Sequence, residues 1–359
     1  MVKNNLATAP APHLHSPLST QKIMAITLLS LLPAFLVSIY FFGTGLLWQF
    51  LISAITAFLC QLLVGFLRHR SLYKSIGDLS YLVTAILLAL TLPPLIPFFL
   101  TIIVTAFAIL IVKECFGGLG MNIFNPAMAG FVFLLVSAPS FVFNTYIAPA
   151  PEAYTVASLD KTYKVIFNKA DPLELHDEIL KLNTSTDSFS GATWLESTKT
   201  ARKSGQMQDI PRINYQDGNE QGYLYLALAY ALGGLVLLAF KIIFLRMIVS
   251  FFIAITCFVL LGQWLFPDLV LSLDTQLILG GTMLGAFYII TDPVTNAGTA
   301  RGRIIFAILC AFLIVLIRAF GSYSDAVAFA VLLANASAPL IDVLTHRRAY
   351  GYNYHKGGL

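Results

Sequence analysis

The sequence predicts an all-α integral membrane protein of about ten transmembrane helices, in two inverted five-helix halves around one long extramembrane loop. Three observations carry this reading. Of the 359 residues, 58% are hydrophobic and only 11% charged, where a soluble domain carries about 25% charged residues. The mean hydropathy of +0.80 is too high for one water-soluble core. Apolar runs that suit a bilayer crossing recur ten times, five on each side of a polar stretch. These facts exclude an ordinary globular enzyme, and a net charge of +4 is too small to suggest a nucleic-acid binder.

A spanning helix needs about 20 mostly apolar residues, because lipid offers no partner to a bare backbone N–H or C=O. The first half supplies Met24–Phe42, Leu46–Phe66, Leu79–Leu92, Leu95–Val112 and Ala127–Val142. The second supplies Tyr223–Phe240, Met247–Gly262, Leu277–Ile290, Ile304–Ile317 and Ala326–Leu344. The domain plan is then a cytoplasmic segment 1–21, a membrane half 22–142, a periplasmic loop 143–220, a second half 221–345 and a cytoplasmic tail 346–359. The first apolar run reads as an uncleaved span, since no convincing small-residue cleavage site follows it.

Orientation follows from Lys and Arg. With the N-terminus inside, 13 of the 22 basic residues fall on cytoplasmic segments and none on the short outside loops. Eight more lie in 143–220, and a segment that long crosses regardless of charge. Five spans is an odd number, so the second half enters from the opposite face, the arithmetic of an inverted repeat. The third run of each half is short and ends in matching punctuation, Thr91-Leu92-Pro93-Pro94 and Thr291-Asp292-Pro293. Such breaks at matching positions point to a midplane site, and a proline that merely ends a span explains them as well. Gly117-Gly118-Leu119-Gly120 before Asn125-Pro126-Ala127 suits a re-entrant turn or half-helix start, or tight helix packing.

The loop 143–220 holds 11 of the 18 acidic residues, for a net charge of −3, with a short amphipathic helix expected over Pro172–Leu182. Within it, Ser190-Gly191-Ala192-Thr193-Trp194 presents a threonine after two small residues, open to modification by another enzyme, with an indole beside it that can stack on a flat ring. Taken alone, it also reads as a solvated loop threonine. Cys60, Cys115, Cys257 and Cys310 form no C-x-x-C pair and read as small hydrophobes. No metal site is indicated, and the six histidines fall outside the spans.

Four carboxylates stand at or near span ends: Asp78, Glu114, Asp292 and Asp342. A carboxylate in the bilayer centre costs at least about 2.5–3.5 kcal/mol, so each is a candidate for a cation path. Each also has a plain reading, as a helix cap or the partner of Lys74, Lys113, Arg301 or Arg347.

Lys113-Glu114-Cys115-Phe116-Gly117-Gly118, Asn125-Pro126-Ala127, Ser190-Gly191-Ala192-Thr193, Thr291-Asp292-Pro293-Val294 and Ala338-Pro339-Leu340-Ile341-Asp342 occur in this order on ten spans. This pattern resembles the family that holds RnfD, of the Rnf electron-transport complex, and its homologue NqrB, of the sodium-pumping NADH:quinone reductase. The resemblance implies FMN esterified through its phosphate to Thr193 on the outer face, installed by a flavin transferase, and a second, noncovalent riboflavin near the membrane part. It further implies a bacterial inner-membrane location and an ion-translocating oxidoreductase that couples electron transfer between ferredoxin and NAD to Na⁺ or H⁺ movement. The partners would be the A, B, C, E and G proteins of the Rnf complex. It tips Asp292 and Asp342 toward a functional role.

The chain has no dinucleotide fingerprint and no iron–sulfur cysteine run, so it is expected to act only as a subunit of the translocase. Two other classes compete: a solute channel or secondary transporter of inverted-repeat type, and a structural scaffold.

Overall fold

The computed structural model describes residues 18–69, 76–172, 174–175, 178, 195, 218–321, 323 and 325–346. The described residues are helical and irregular, without strands. The first half contains α1 (Thr20–Phe42), α2 (Gly45–Leu67), α3 (Ser80–Thr91), α4 (Phe98–Ala106, continued as a π-helix over Phe107–Glu114) and α5 (Pro126–Ser137). Three short helices follow: α6 (Pro139–Asn144), α7 (Ala153–Val156) and α8 (Leu159–Ile166). The second half contains α9 (Gly218–Ala239), α10 (Leu245–Leu265), α11 (Leu273–Ile278), α12 (Thr282–Leu284, continued as a π-helix over Gly285–Ile289), α13 (Ala300–Phe320) and α14 (Val327–Thr345). Six of these, α1, α2, α9, α10, α13 and α14, are long and apolar enough to cross a bilayer; α3 and α5 are shorter apolar helices. This is an all-α multi-span membrane protein, as the sequence predicts.

The ends of these helices follow local chemistry. Ser19 accepts from the Lys22 N–H at the start of α1. Asn125 accepts from the Ala127 and Met128 N–H groups, with Pro126 in the first turn of α5. Thr299 accepts from the Gly302 N–H at the start of α13. Gly43 closes α1 at φ +85°, where a Cβ would lie 2.5 Å from Ala157 Cβ.

Packing repeats between the halves. α1 lies on α3 and α2 on α3 and α4; in the second half α9 lies on α12 and α10 on α11 and α13. α4 packs on α5, as α13 does on α14. The halves join where α1 meets α9 and where α5 meets α14, each the counterpart of the other under an inverted repeat. Gly233 makes the first joint: a side chain there would run into the Ser30 carbonyl and the Tyr288 hydroxyl, while one at Gly234 would run into the Phe287 ring of the same half. One apolar core runs across both halves, through Leu31, Leu88, Met128, Phe251 and Phe306.

Two expectations need correction. The run Leu277–Ile290 is not one short span. It breaks at Gly280 and Gly281, which adopt φ +64° and +67°, a region open to glycine. The early part of the segment after α5 is not a loose loop. Thr44 donates to the Ala157 carbonyl at 2.7 Å and Trp48 Nε1 to the Leu159 carbonyl at 3.2 Å. Leu95, Ile147, Ala150 and Val165 form a small core beneath. Of the helix expected over Pro172–Leu182, the described positions 172, 174, 175 and 178 are helical.

Candidate functional site

The two broken third helices come together at one end of the bundle. In the first half, Gln49 on α2 is fully buried and donates to the Ile96 carbonyl at 2.9 Å, while Thr101 donates to its Oε1 at 2.6 Å. These bonds hold the Pro93–Pro97 turn. In the second half, the same role falls to a residue that sequence reasoning places only at a span end. Arg318 on α13 is 5% exposed. Its Nη1 donates to the Gln276 carbonyl at 2.7 Å and to Gln276 Oε1 at 2.8 Å. Its Nη2 donates to the Leu279 carbonyl at 2.8 Å, the Gly280 carbonyl at 3.3 Å and Thr282 Oγ1 at 2.9 Å. A helix broken inside lipid must find partners for its freed carbonyls, and one guanidinium supplies them.

Between the two breaks lies a cavity of about 190 Å³, lined by both halves. Phe42, Tyr146, Tyr223, Tyr230 and Tyr323 give it flat aromatic walls, and Ser38 and Asp325 give polar points. Tyr146 and Tyr223 share a hydrogen bond at 3.4 Å, and burial pushes the Tyr146 phenol up to about 12. Loss of water raises the Asp325 carboxyl, an effect that the Arg318 guanidinium and the Val327 N–H oppose. Leu195 also lines this cavity, and it is buried against Leu271 and Leu279.

Of the five residues predicted around the modified threonine, Ser190, Gly191, Ala192, Thr193 and Trp194 all lie outside the described residues. Leu195 is therefore the nearest described residue, two positions after Thr193.

A second cavity, of about 100 Å³, lies between the halves at the opposite end. Asp292 lines it, together with Lys113, Ser80, Asn122 and Asn125. Asp292 accepts from the Val294 N–H at 3.1 Å, Thr295 Oγ1 at 3.2 Å and, across the halves, Asn125 Nδ2 at 3.5 Å. Asn335 on α14 closes the joint: its amide donates to the Thr295 carbonyl and accepts from the Asn125 N–H, both at 3.1 Å. The Asn122 Oδ1 atom is buried there without a hydrogen-bond partner.

The remaining carboxylates gather at the same end, each with partners. Asp78 accepts from the Ser80 N–H at 3.0 Å and Ser80 Oγ at 2.8 Å, capping α3. Glu114 pairs with Arg68 at 3.1 Å and lies 3.8 Å from Lys113 Nζ; Arg68 also donates to the Glu114 carbonyl. Asp342 accepts from the Gly298 N–H at 2.9 Å and the Thr299 N–H at 3.2 Å, tying α14 to the entry of α13. Lys113, which the sequence marks only as a positive residue near the surface, is 2% exposed. It donates to Ser80 Oγ at 2.7 Å and Gln61 Oε1 at 3.2 Å. The π-helix over Phe107–Glu114 explains its position: the wider turn buries Lys113 and Glu114 side by side. The turn at Gly117, Gly118 and Gly120 follows at positive φ. Among the described residues, no group of three or more His, Cys, Asp or Glu could hold a metal ion.

Comparison with known proteins agrees with this architecture. The chain is 40% identical over 348 residues to the D subunit of the ion-translocating oxidoreductase complex of Escherichia fergusonii, covering 96% of this chain and 98% of the relative. It is 38% identical over 350 residues to the protein of the same name from Tolumonas auensis, covering 97% and 100%. It is 41% identical over 357 residues to that of Shewanella frigidimarina, covering 96% and 97%. The model of the NQR2, RnfD, RnfE family matches residues 7–351, and the chain belongs to that family.

Proposed function

We propose that this chain is the RnfD-type membrane subunit of an ion-translocating oxidoreductase complex, and that Thr193 carries FMN through a phosphodiester bond. The complex passes electrons between ferredoxin and NAD and moves Na⁺ or H⁺, with the A, B, C, E and G proteins of the Rnf complex as partners and a flavin transferase acting during maturation. The relatives' shared name supports the first part. One structural observation supports the second: Leu195, two positions after Thr193 in the sequence, is buried at the aromatic cavity between the halves.

The cavity fits a flat heteroaromatic ring. Tyr146, Tyr223 and Tyr230 offer stacking faces, and Ser38 and Asp325 offer polar contacts for a ring edge. These residues would hold the noncovalent riboflavin, with the tethered FMN at the entrance. A bound flavin supplies one-electron and two-electron transfer. The protein's part is to hold the rings, exclude water with apolar walls such as Leu46, Phe131 and Leu284, and keep the Tyr146 hydroxyl protonated. A tether at Thr193 also keeps the flavin from being lost outside the cell.

At the opposite end, Asp292 is the strongest member of the proposed cation path formed with Asp342, Asp78 and Glu114. It lines the cavity of about 100 Å³ between the halves. The orientation follows the basic residues: termini cytoplasmic and 143–220 periplasmic, in a bacterial inner membrane.

The test is the mass of the full-length chain and its in-gel flavin fluorescence after denaturation. The wild type is expected to carry one FMN and Thr193→Ala none. A bare wild-type chain, or a fluorescent Thr193→Ala band, refutes the assignment. A solute transporter would carry no flavin at all, and a scaffold would leave electron transfer intact in Thr193→Val.

A further inference from the structure

The cavity beside Asp292 offers oxygen lone pairs and few free protons. Asn122 lines it and is 5% exposed. Its Nδ2 donates to the Phe124 carbonyl at 3.0 Å. That bond fixes the amide, since the opposite orientation would set two oxygens against each other. Oδ1 is left buried, with no partner among the described residues. The hydroxyls of the same wall have spent their protons elsewhere. Thr27 donates to the Ile23 carbonyl at 2.9 Å, Thr84 to the Ser80 carbonyl at 3.1 Å and Thr291 to the Phe287 carbonyl at 2.7 Å. Ser80 donates to Asp78 Oδ1 at 2.8 Å, and Tyr288 to the Ser30 carbonyl at 2.9 Å. A hydroxyl has one proton, and beyond it only lone pairs. Asp292 adds a carboxylate, which has about four lone-pair sites and receives bonds from Val294, Thr295 and Asn125.

We propose that Asn122 and Asp292 form a binding site for one Na⁺-class cation. This rests on the reading of Asp292 as a member of the cation path. A hard cation takes oxygen ligands, whereas an anion would need donors that this wall has turned to other acceptors. Lys113, the positive group of the wall, is engaged: its Nζ donates to Ser80 Oγ and Gln61 Oε1, and the Glu114 carboxylate 3.8 Å away offsets its charge. Among the described residues, no Lys or Arg is ion-paired with Asp292. One carboxylate balances one positive charge, while a divalent ion favours several. The volume of about 100 Å³ leaves room for water to complete the shell. The ligands come from opposite halves, so a bound ion ties the halves together at this end.

The test uses the purified complex as wild type, Asn122→Leu, Asn122→Asp and Asp292→Asn. Equilibrium binding of radioactive Na⁺ reads the site, and Na⁺ transport in vesicles reads its use. Leucine and aspartate both lose the bond to Phe124, and only aspartate keeps an oxygen in that place. Asn122→Leu is expected to raise the Na⁺ concentration for half-saturation about 10–100-fold, in binding and in the transport KM, with the maximal rate largely kept. Asn122→Asp is expected to bind as the wild type does. Wild-type binding by Asn122→Leu would overturn the site and, with Asp292→Asn inactive in transport, leave the cation path standing. Equal weakening in Asn122→Leu and Asn122→Asp would also overturn it, since the bond to Phe124 would then be the role of Asn122. A wild-type complex without saturable Na⁺ binding would do the same. Unchanged transport in Asp292→Asn would remove the reading beneath it.

Discussion

Arg318→Met removes the side chain that holds the broken turn of the second half. Methionine fills much of the same space and makes none of the five hydrogen bonds of the guanidinium. Three of those bonds go to backbone carbonyls, of Gln276, Leu279 and Gly280. A buried carbonyl left without a partner costs about 1–3 kcal/mol. Partial re-closure of the turn offsets some of that, so the net loss is about 3–5 kcal/mol. At about 2–4 °C per kcal/mol for a chain of this size, the unfolding midpoint should fall by roughly 6–20 °C. Cys310 on the same helix provides the probe. It is fully buried and becomes reactive to a fluorogenic maleimide when the bundle opens. Cys115, which is exposed outside the long spans, reacts before the transition. Arg318→Lys should fall between the two, because one ammonium reaches fewer of the acceptors. A midpoint for Arg318→Met within about 2 °C of wild type would refute the claim that this side chain holds the break open.

Two further outcomes follow from the joints between the halves. Gly233→Val should prevent close approach of α1 and α9, displacing the Tyr288 hydroxyl from the Ser30 carbonyl that it meets at 2.9 Å; the yield of monodisperse protein in size-exclusion chromatography should collapse, while Gly120→Ala, whose Cβ would meet nothing within 4 Å, should cost only the left-handed strain of about 1–2 kcal/mol. Asp292→Asn keeps one acceptor oxygen, enough for the Val294 N–H, and removes the charge; ion transport by the complex in vesicles should fall at least tenfold with assembly preserved, and unchanged pumping in both Asp292→Asn and Asp342→Asn would refute the cation path.

The contrast between Asp292 and Arg318 shows how much of the site could be read from the chain. Asp292 declares itself locally: it sits in a Thr-Asp-Pro-Val stretch after a short apolar run, where a carboxylate is expensive. Arg318 gives a weaker signal. An arginine near the end of an apolar run reads as a surface residue reaching for water. Its real partners lie 36–42 positions earlier, in a segment that looks like the start of a continuous span. The Gly280-Gly281 pair within that span is the one available clue. Lys113 misleads for a related reason. Its burial depends on a π-helical turn, and period 3.6 gives no warning of a widened turn. Leu195 carries no signal at all, being one leucine in a polar segment.

The sequence by itself determined the all-α, multi-span membrane class and the positions of the six long apolar helices. Each of these rests on a requirement met within one segment: backbone groups in lipid must bond internally, and that demand writes a readable length and composition. The tertiary structure alone decided which breaks face each other, which charges are buried and where the loop is seated. Those outcomes depend on helices meeting across long stretches of chain, as when Asn125 reaches Asp292 over 167 positions. Side-chain packing sets such meetings, and no local period encodes it.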